Sequence, residues 1–191
     1  EVYKNAPDVK QIQHIIRFGY FTGMRYGEIR ALRWKDIDFN NNIININNHI
    51  SKHNTERAGR KNGDYHQLVM DDDTRTVLIE IYENNKKQPE FTNDCYVFHS
   101  AIRGPYFPLA ATTGNKYMMK LANANGLNHI TFHGLRHSHA SYLISIVGLS
   151  EAEVADRLGD TVAVTSKTYA KFFNQARVRA ANKISSHKLG F

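Results

Sequence analysis

Residues 22–39 read TGMRYGEIRALRWKDIDF, and the fold turns on the change of pattern midway through this stretch. Thr22-Gly23 breaks the apolar run before it, and Arg25 to Arg33 then reads as a short helix with Ile29 and Leu32 facing inward. Past Trp34 the apolar spacing shortens. Ile37 and Phe39, then Ile43, Ile44, Ile46 and Ile50, then Leu68 and Met70, sit among Asn- and Gly-rich turns. That pattern predicts a small antiparallel sheet of about three strands, with a polar hairpin near residues 53–64. Upstream, Val9, Ile12, Ile15, Ile16 and Phe21 have roughly helical spacing. Downstream, Asp71-Asp72-Asp73 offers capping carboxylates to a helix carrying Val77, Leu78 and Ile81. Further helices are expected at about 113–125 and 133–147, and from Ser150, where Ser150 and Glu153 have capping-box spacing. Later ones are expected at about 162–172 and 174–185. The fold class is α+β, mostly helical, with one small sheet inserted early, and residues 1–191 read as one domain.

Composition narrows the function classes. With 41% apolar and 11% aromatic residues, the 191-residue chain can bury a core, which argues against disorder throughout. One cysteine, Cys95, excludes an intramolecular disulfide framework and any Cys-based zinc module. No apolar run approaches the ~20 residues of a membrane span, and EVYKNAPDVK lacks signal-peptide character. The expectation is an intracellular, cytoplasmic protein without a membrane partner. The net charge of +7 is uneven. Residues 1–60 carry ten Lys/Arg against six Asp/Glu, residues 61–100 four against eight, and residues 101–191 eleven against four. A polyanionic partner would therefore meet the C-terminal half and part of the N-terminal section.

The sharpest chemical feature is Thr131-Phe132-His133-Gly134-Leu135-Arg136-His137. Positions i and i+3 share a helix face, so His133 and Arg136 point the same way and suit one phosphate, the guanidinium giving paired hydrogen bonds. Leu135, Tyr142, Leu143 and Ile146 are expected as the buried stripe behind them. His133 and His137 also have the i, i+4 spacing of helical zinc ligands. Gly134, however, stands where H-E-x-x-H places its catalytic Glu, and no cysteine is near. The reading therefore assigns no metal.

Two more segments join this one: TGMRYGEIRALRWKDIDF at 22–39 and LGDTVAVTSKTY at 158–169. Three separated boxes in this order resemble the catalytic domain of the tyrosine recombinases, the family of phage and transposon integrases. The resemblance spans about Thr22 to Tyr169. It implies that Arg25 is the first catalytic arginine and that Glu28, three residues on, orients it. His133 and Arg136 match the family's H-x-x-R box. Tyr169, eleven residues after Leu158, matches the nucleophile. The family lysine on the sheet hairpin maps to Lys61 in G-R-K-N-G-D. Lys52 is the alternative for a longer hairpin and Arg60 a confusable neighbour, and His66 stands where the family often has arginine. Asp160 occupies the third-box position that is commonly His or Trp. An aspartate there gives the phosphate no hydrogen bond unless protonated, and its expected role is to bond a backbone amide or brace an arginine.

The implied activity is site-specific cleavage and rejoining of double-stranded DNA through a 3′-phosphotyrosine, with no cofactor. The implied state is a homo-oligomer, a tetramer on recombination sites. Rival readings are a DNA-binding module that has lost its chemistry and a type IB topoisomerase-like relaxing enzyme. The basic stretch at 174–188 either packs on its own domain or exchanges with a neighbouring subunit. Family members usually carry an N-terminal DNA-clamping domain and some an arm-binding domain before it. The expectation is thus that residues 1–191 are the catalytic part of a longer integrase.

Overall fold

The computed structural model describes residues 9–59 and 65–186. They form two compact units, one ending at Arg136 and the other beginning at His137.

In the first unit, α1 (Val9–Thr22) is followed by α2 (Tyr26–Ala31) and a 3₁₀ turn at Trp34–Asp36. Strands β1 (Ile37–Asp38), β2 (Ile43–Ile46) and β5 (His66–Val69) make the expected three-stranded antiparallel sheet, in the order β1-β2-β5. Ile44 faces Leu68 across it, and both are buried. Helix α3 (Asp72–Asn85) is capped as its sequence predicts, Asp71 Oδ1 accepting from the Thr74 N–H at 2.8 Å. Helix α4 (Thr113–Ala124) follows, and α5 (Phe132–Tyr142) begins in this unit. One apolar core joins α1, α2, the sheet and α3 through Ile12, Ile15, Phe18, Ile29, Ile44 and Leu78.

Two further hairpins depart from the expectation of a single sheet. β3 (Asn48–Ile50) pairs with β4 (Glu56–Ala58), and β6 (His99–Ser100) with β7 (Gly104–Pro108). The first occupies part of the expected polar hairpin. The second has too few apolar positions in alternation to register as strand, because much of Gly104–Pro108 is only half-buried or exposed.

The second unit has its own core of Ala140, Leu143, Ile144, Val154, Leu158, Tyr169 and Phe173. Ser150 caps α6 (Glu151–Leu158) by the expected box: its Oγ accepts from the Glu153 N–H, and Glu153 Oε2 accepts from the Ser150 N–H at 2.8 Å. The Ser150 hydroxyl, which donates to Glu153 Oε2 at 2.6 Å, and the Ser150 N–H hold the exposed Glu153 carboxyl below its ordinary value.

Two expectations are corrected here. The stripe behind His133 fails at Tyr142 and Ile146, which is 72% exposed, whereas Leu135 and Leu143 are buried. After Tyr142 the helix widens into a π-helical turn, Leu143–Val147, with the Gly148 N–H bonding back five residues to Leu143 O. A widened turn breaks the 3.6-residue phase on which the stripe was counted. The two expected C-terminal helices meet at a kink within α7 (Val162–Ser186), and that kink falls at Tyr169 instead of near residue 173.

Candidate active site

The Thr22-Gly23 signal builds the first part of the site. Thr22 Oγ1 donates to Phe18 O at 2.7 Å and accepts from the Met24 N–H at 3.3 Å. Gly23 has φ +63° and its N–H bonds Gly19 O, ending α1 in a left-handed cap that a Cβ would strain. The chain then reverses into α2, with Arg25 at its N-cap and not inside the helix as the sequence suggested. The i, i+3 spacing still works, because a residue at N3 reaches back to the cap. Glu28, 2% exposed, holds Arg25 twice: Oε2 accepts from the Arg25 N–H at 2.9 Å and Oε1 from Nη1 at 3.0 Å.

Helix α5 supplies the second arginine. Thr131 caps it, Oγ1 accepting from the Gly134 N–H at 3.1 Å, and Asn115 Oδ1 accepts from the Phe132 N–H at 3.1 Å. His133 is exposed in the first turn. Arg136, one turn on, is 4% exposed, and its Nη1 donates to Gly23 O at 2.8 Å. The carbonyl two residues before Arg25 is thus held by Arg136, which fixes the two arginine-bearing segments to each other.

Packing does the same work from behind. Tyr26, next to Arg25, stacks on Phe132, next to His133, with centroids 4.4 Å apart. Tyr26 Oη accepts from the Gly114 N–H at 3.0 Å and donates to Ala110 O at 3.2 Å. The Phe132 ring lies between Gly19 and Gly114, where added Cβ atoms would stand 3.1 Å and 2.5 Å from its opposite edges. Sequence reading missed Tyr26, Phe132 and these two glycines. Gly inside an otherwise helical run, as at 19 and 114, was the available signal of a close approach.

The third box lies in the second unit and each letter has a physical reason. Leu158 enters the core, and Gly159, with φ +60°, ends α6. The Asp160 N–H bonds Ala155 O at 2.9 Å, closing the turn through its backbone. Thr161 then caps α7, its Oγ1 accepting from the Val164 N–H at 3.3 Å. Two turns later Tyr169 sits at φ −111° and ψ 16°, in the sparsely populated bridge region. Its side chain is 3% exposed, with the His137 ring edge-on at 5.4 Å between centroids. His137 therefore meets Tyr169. Among the described residues no three His, Cys, Asp or Glu side chains converge on a metal-sized site.

Lys61 and Arg60 lie outside the described residues. Lys52 is exposed in the β3–β4 turn, and His66 begins β5 opposite Ile46. Among the described residues no helix is long and apolar enough to cross a membrane.

The first unit thus presents Arg25 and His133-Arg136 at two helix starts, and the second presents Tyr169 at a helix break after an L-G turn. Residues 1–176 match the phage integrase family. The chain belongs to that family. It is 29% identical over 153 residues to the integrase of Staphylococcus phage L54a, covering 72% of this chain and 41% of that protein. It is 30% identical over 194 residues to transposase A of transposon Tn554 from Staphylococcus aureus, covering 96% of this chain and 50% of the relative. The chain therefore spans about half the length of the curated relatives it matches. Its fold is shared by the Tn1549 transposon integrase, solved in complex with a circular intermediate DNA, at TM-score 0.72 and 16% identity over 94% of this chain and 60% of that one.

Proposed function

We propose that this chain is the catalytic domain of a site-specific tyrosine recombinase that cuts and rejoins double-stranded DNA. The observation that carries the reading is the Arg136–Gly23 hydrogen bond. It ties the H-x-x-R helix to the segment that presents Arg25, so two permanent cations are fixed in one unit. Negative charge develops on the non-bridging oxygens of a phosphodiester under attack, and preorganised planar guanidinium forks stabilise it without reorganising. His133 adds a hydrogen bond to the same phosphate or receives the phenolic proton.

Tyr169 Oη attacks phosphorus, the bond to the 5′ oxygen breaks, and the hairpin lysine, assigned to Lys61, passes that oxygen a proton. The products are a 3′-phosphotyrosyl link and a 5′ hydroxyl. A 5′ hydroxyl on another strand reverses the step and exchanges strands, so the bond energy is retained and no nucleotide is consumed. Glu28 orients Arg25. The Asp160 backbone completes the turn that starts α7, and its side chain is assigned no proton transfer. Exposed Lys167 and Lys171, which flank Tyr169 in sequence, supply phosphate contacts. The active assembly is a homo-oligomer, a tetramer on paired sites, acting in the cytoplasm.

A nicked suicide substrate tests the assignment. The wild type should form a covalent adduct, with the peptide modified at Tyr169, and Tyr169→Phe should bind DNA without forming it. An adduct that survives this substitution would sink the nucleophile assignment. A wild type that binds but never cleaves would favour a DNA-binding module, and relaxation of plasmid without a site requirement would favour the topoisomerase reading.

A further inference from the structure

Helix α7 kinks at Tyr169, yet its 25 residues include neither proline nor glycine, the usual local causes of a sharp bend. The bend is therefore set by what the two arms of the helix touch. Thr165 is buried on the arm before Tyr169, and Phe173 on the arm after it. Burial of this kind is non-directional, so it holds each arm inward without fixing the angle between them. Hydrogen bonds and ion pairs do fix direction.

One carboxylate spans the kink. Glu151, in the first turn of α6, accepts from the Ser166 hydroxyl through Oε2 and from Arg177 Nη2 through Oε1 at 2.7 Å. Ser166 precedes Tyr169 on the first arm, and Arg177 follows it on the second. Each oxygen of a single planar group thus takes a different arm. The Arg177 side chain is 70% exposed and that of Glu151 28%, so water and salt screen their attraction. The pair therefore contributes geometry more than stability. The second arm keeps a separate anchor, Arg179 Nη2 donating to Ser145 O at 3.2 Å, but Arg179 reaches that arm alone.

We infer, on the recombinase reading above, that Glu151 is a positioning residue for the nucleophile: by joining Ser166 to Arg177 it holds the kink of α7, and with it the place of Tyr169 on the second unit. Loss of either donor opens the bridge, and loss of the other then changes nothing more. Two independent surface contacts would instead have effects that multiply.

The test is a double-mutant cycle in the intact protein that contains this chain. Single-turnover adduct formation is measured on a nicked suicide substrate at saturating DNA, beside DNA affinity and thermal melting. A reacting group displaced by about 1 Å slows its step by up to roughly a hundredfold. Ser166→Ala and Arg177→Met should each slow adduct formation about tenfold, and the double variant by the same factor of about ten. Glu151→Gln, which exchanges one acceptor for a donor, should match them. All four should bind DNA as the wild type does and melt within about 4 °C of it, because exposed pairs add little to stability. A double variant slowed about a hundredfold would show two independent contacts and overturn the inference. Single variants as fast as the wild type would overturn it too, as would a loss of rate that tracks a loss of affinity or of melting temperature. A wild type that makes no adduct would remove the recombinase reading, and the inference with it, before any substitution is compared.

Discussion

Replacing Gly114 by alanine loads the ring pair that holds the two arginine-bearing segments. The new Cβ would lie 2.5 Å from Phe132 Cε2, 2.8 Å from Tyr26 Oη and 2.9 Å from Tyr26 Cε2. Ordinary carbon contacts begin near ~3.5 Å, so the rings must retreat by about 1 Å. Phe132 has little room to do so, because Gly19 closes on its other edge. Helix propensity favours alanine by up to ~1 kcal/mol. Overpacking a filled core costs about 1–3 kcal/mol, which leaves a net loss of up to roughly 2 kcal/mol. For a chain of this size, where 1 kcal/mol is worth ~2–4 °C, Tm should fall by up to roughly 8 °C. Activity should fall further than stability. Tyr26 and Phe132 are covalent neighbours of Arg25 and His133, and a 1 Å misplacement costs up to about a hundredfold. Thermal melting and suicide-substrate trapping on the same preparation measure both effects at a temperature where the variant is folded. A variant that melts at or above the wild-type temperature and traps DNA equally well would refute the claim that this packing sets the site.

Arg136→Lys keeps the charge but loses the fork that reaches Gly23 O and, in the proposed function, a phosphate, so trapping should drop by roughly 10²–10³, with binding at low salt largely kept. An unchanged trapping rate would show that the guanidinium is not needed. The Tyr96 phenol is pushed up to about 12 from 10.0 by burial and by the Glu56 carboxylate it donates to. Its contribution to stability is therefore complete below pH 10 and is lost as pH rises from about 10 to 12. Denaturant midpoints measured across that window should decline less steeply in Tyr96→Phe, and identical slopes would remove Tyr96 as the cause. In Asp160→His, the backbone bond from residue 160 to Ala155 O persists and a hydrogen-bond donor is gained, so cleavage should rise. Reduced cleavage would show that the aspartate side chain has a structural task of its own.

Much of the fold was legible because local rules decided it. The Thr22-Gly23 stop, the Asp71 cap, the Ser150–Glu153 box and the alternating isoleucines of β2 each act within a few residues, and each stands where it was expected. The failures lie where helical phase was extrapolated. Ile146 turns outward because the helix widens at Leu143, and the kink in α7 falls at Tyr169 instead of near residue 173.

The sequence by itself determined which residue types stand at the boxes: two arginines, a histidine, a tyrosine and the glycines whose left-handed turns end α1 and α6. Spacing and chirality act along the chain, so they can be read from it. Only the tertiary structure decided that Arg136 reaches the carbonyl of Gly23, 113 residues away, and that Arg30 spans from α2 to the turn at Ser51–Asn54. Those contacts depend on rings and glycines distant in sequence packing at van der Waals range, and no local pattern encodes that. Arg30 shows the difference most plainly. In the string EIRALRW it is one basic residue among several, and in the folded chain it is a buried cation with four carbonyl partners because the hairpin closes over it.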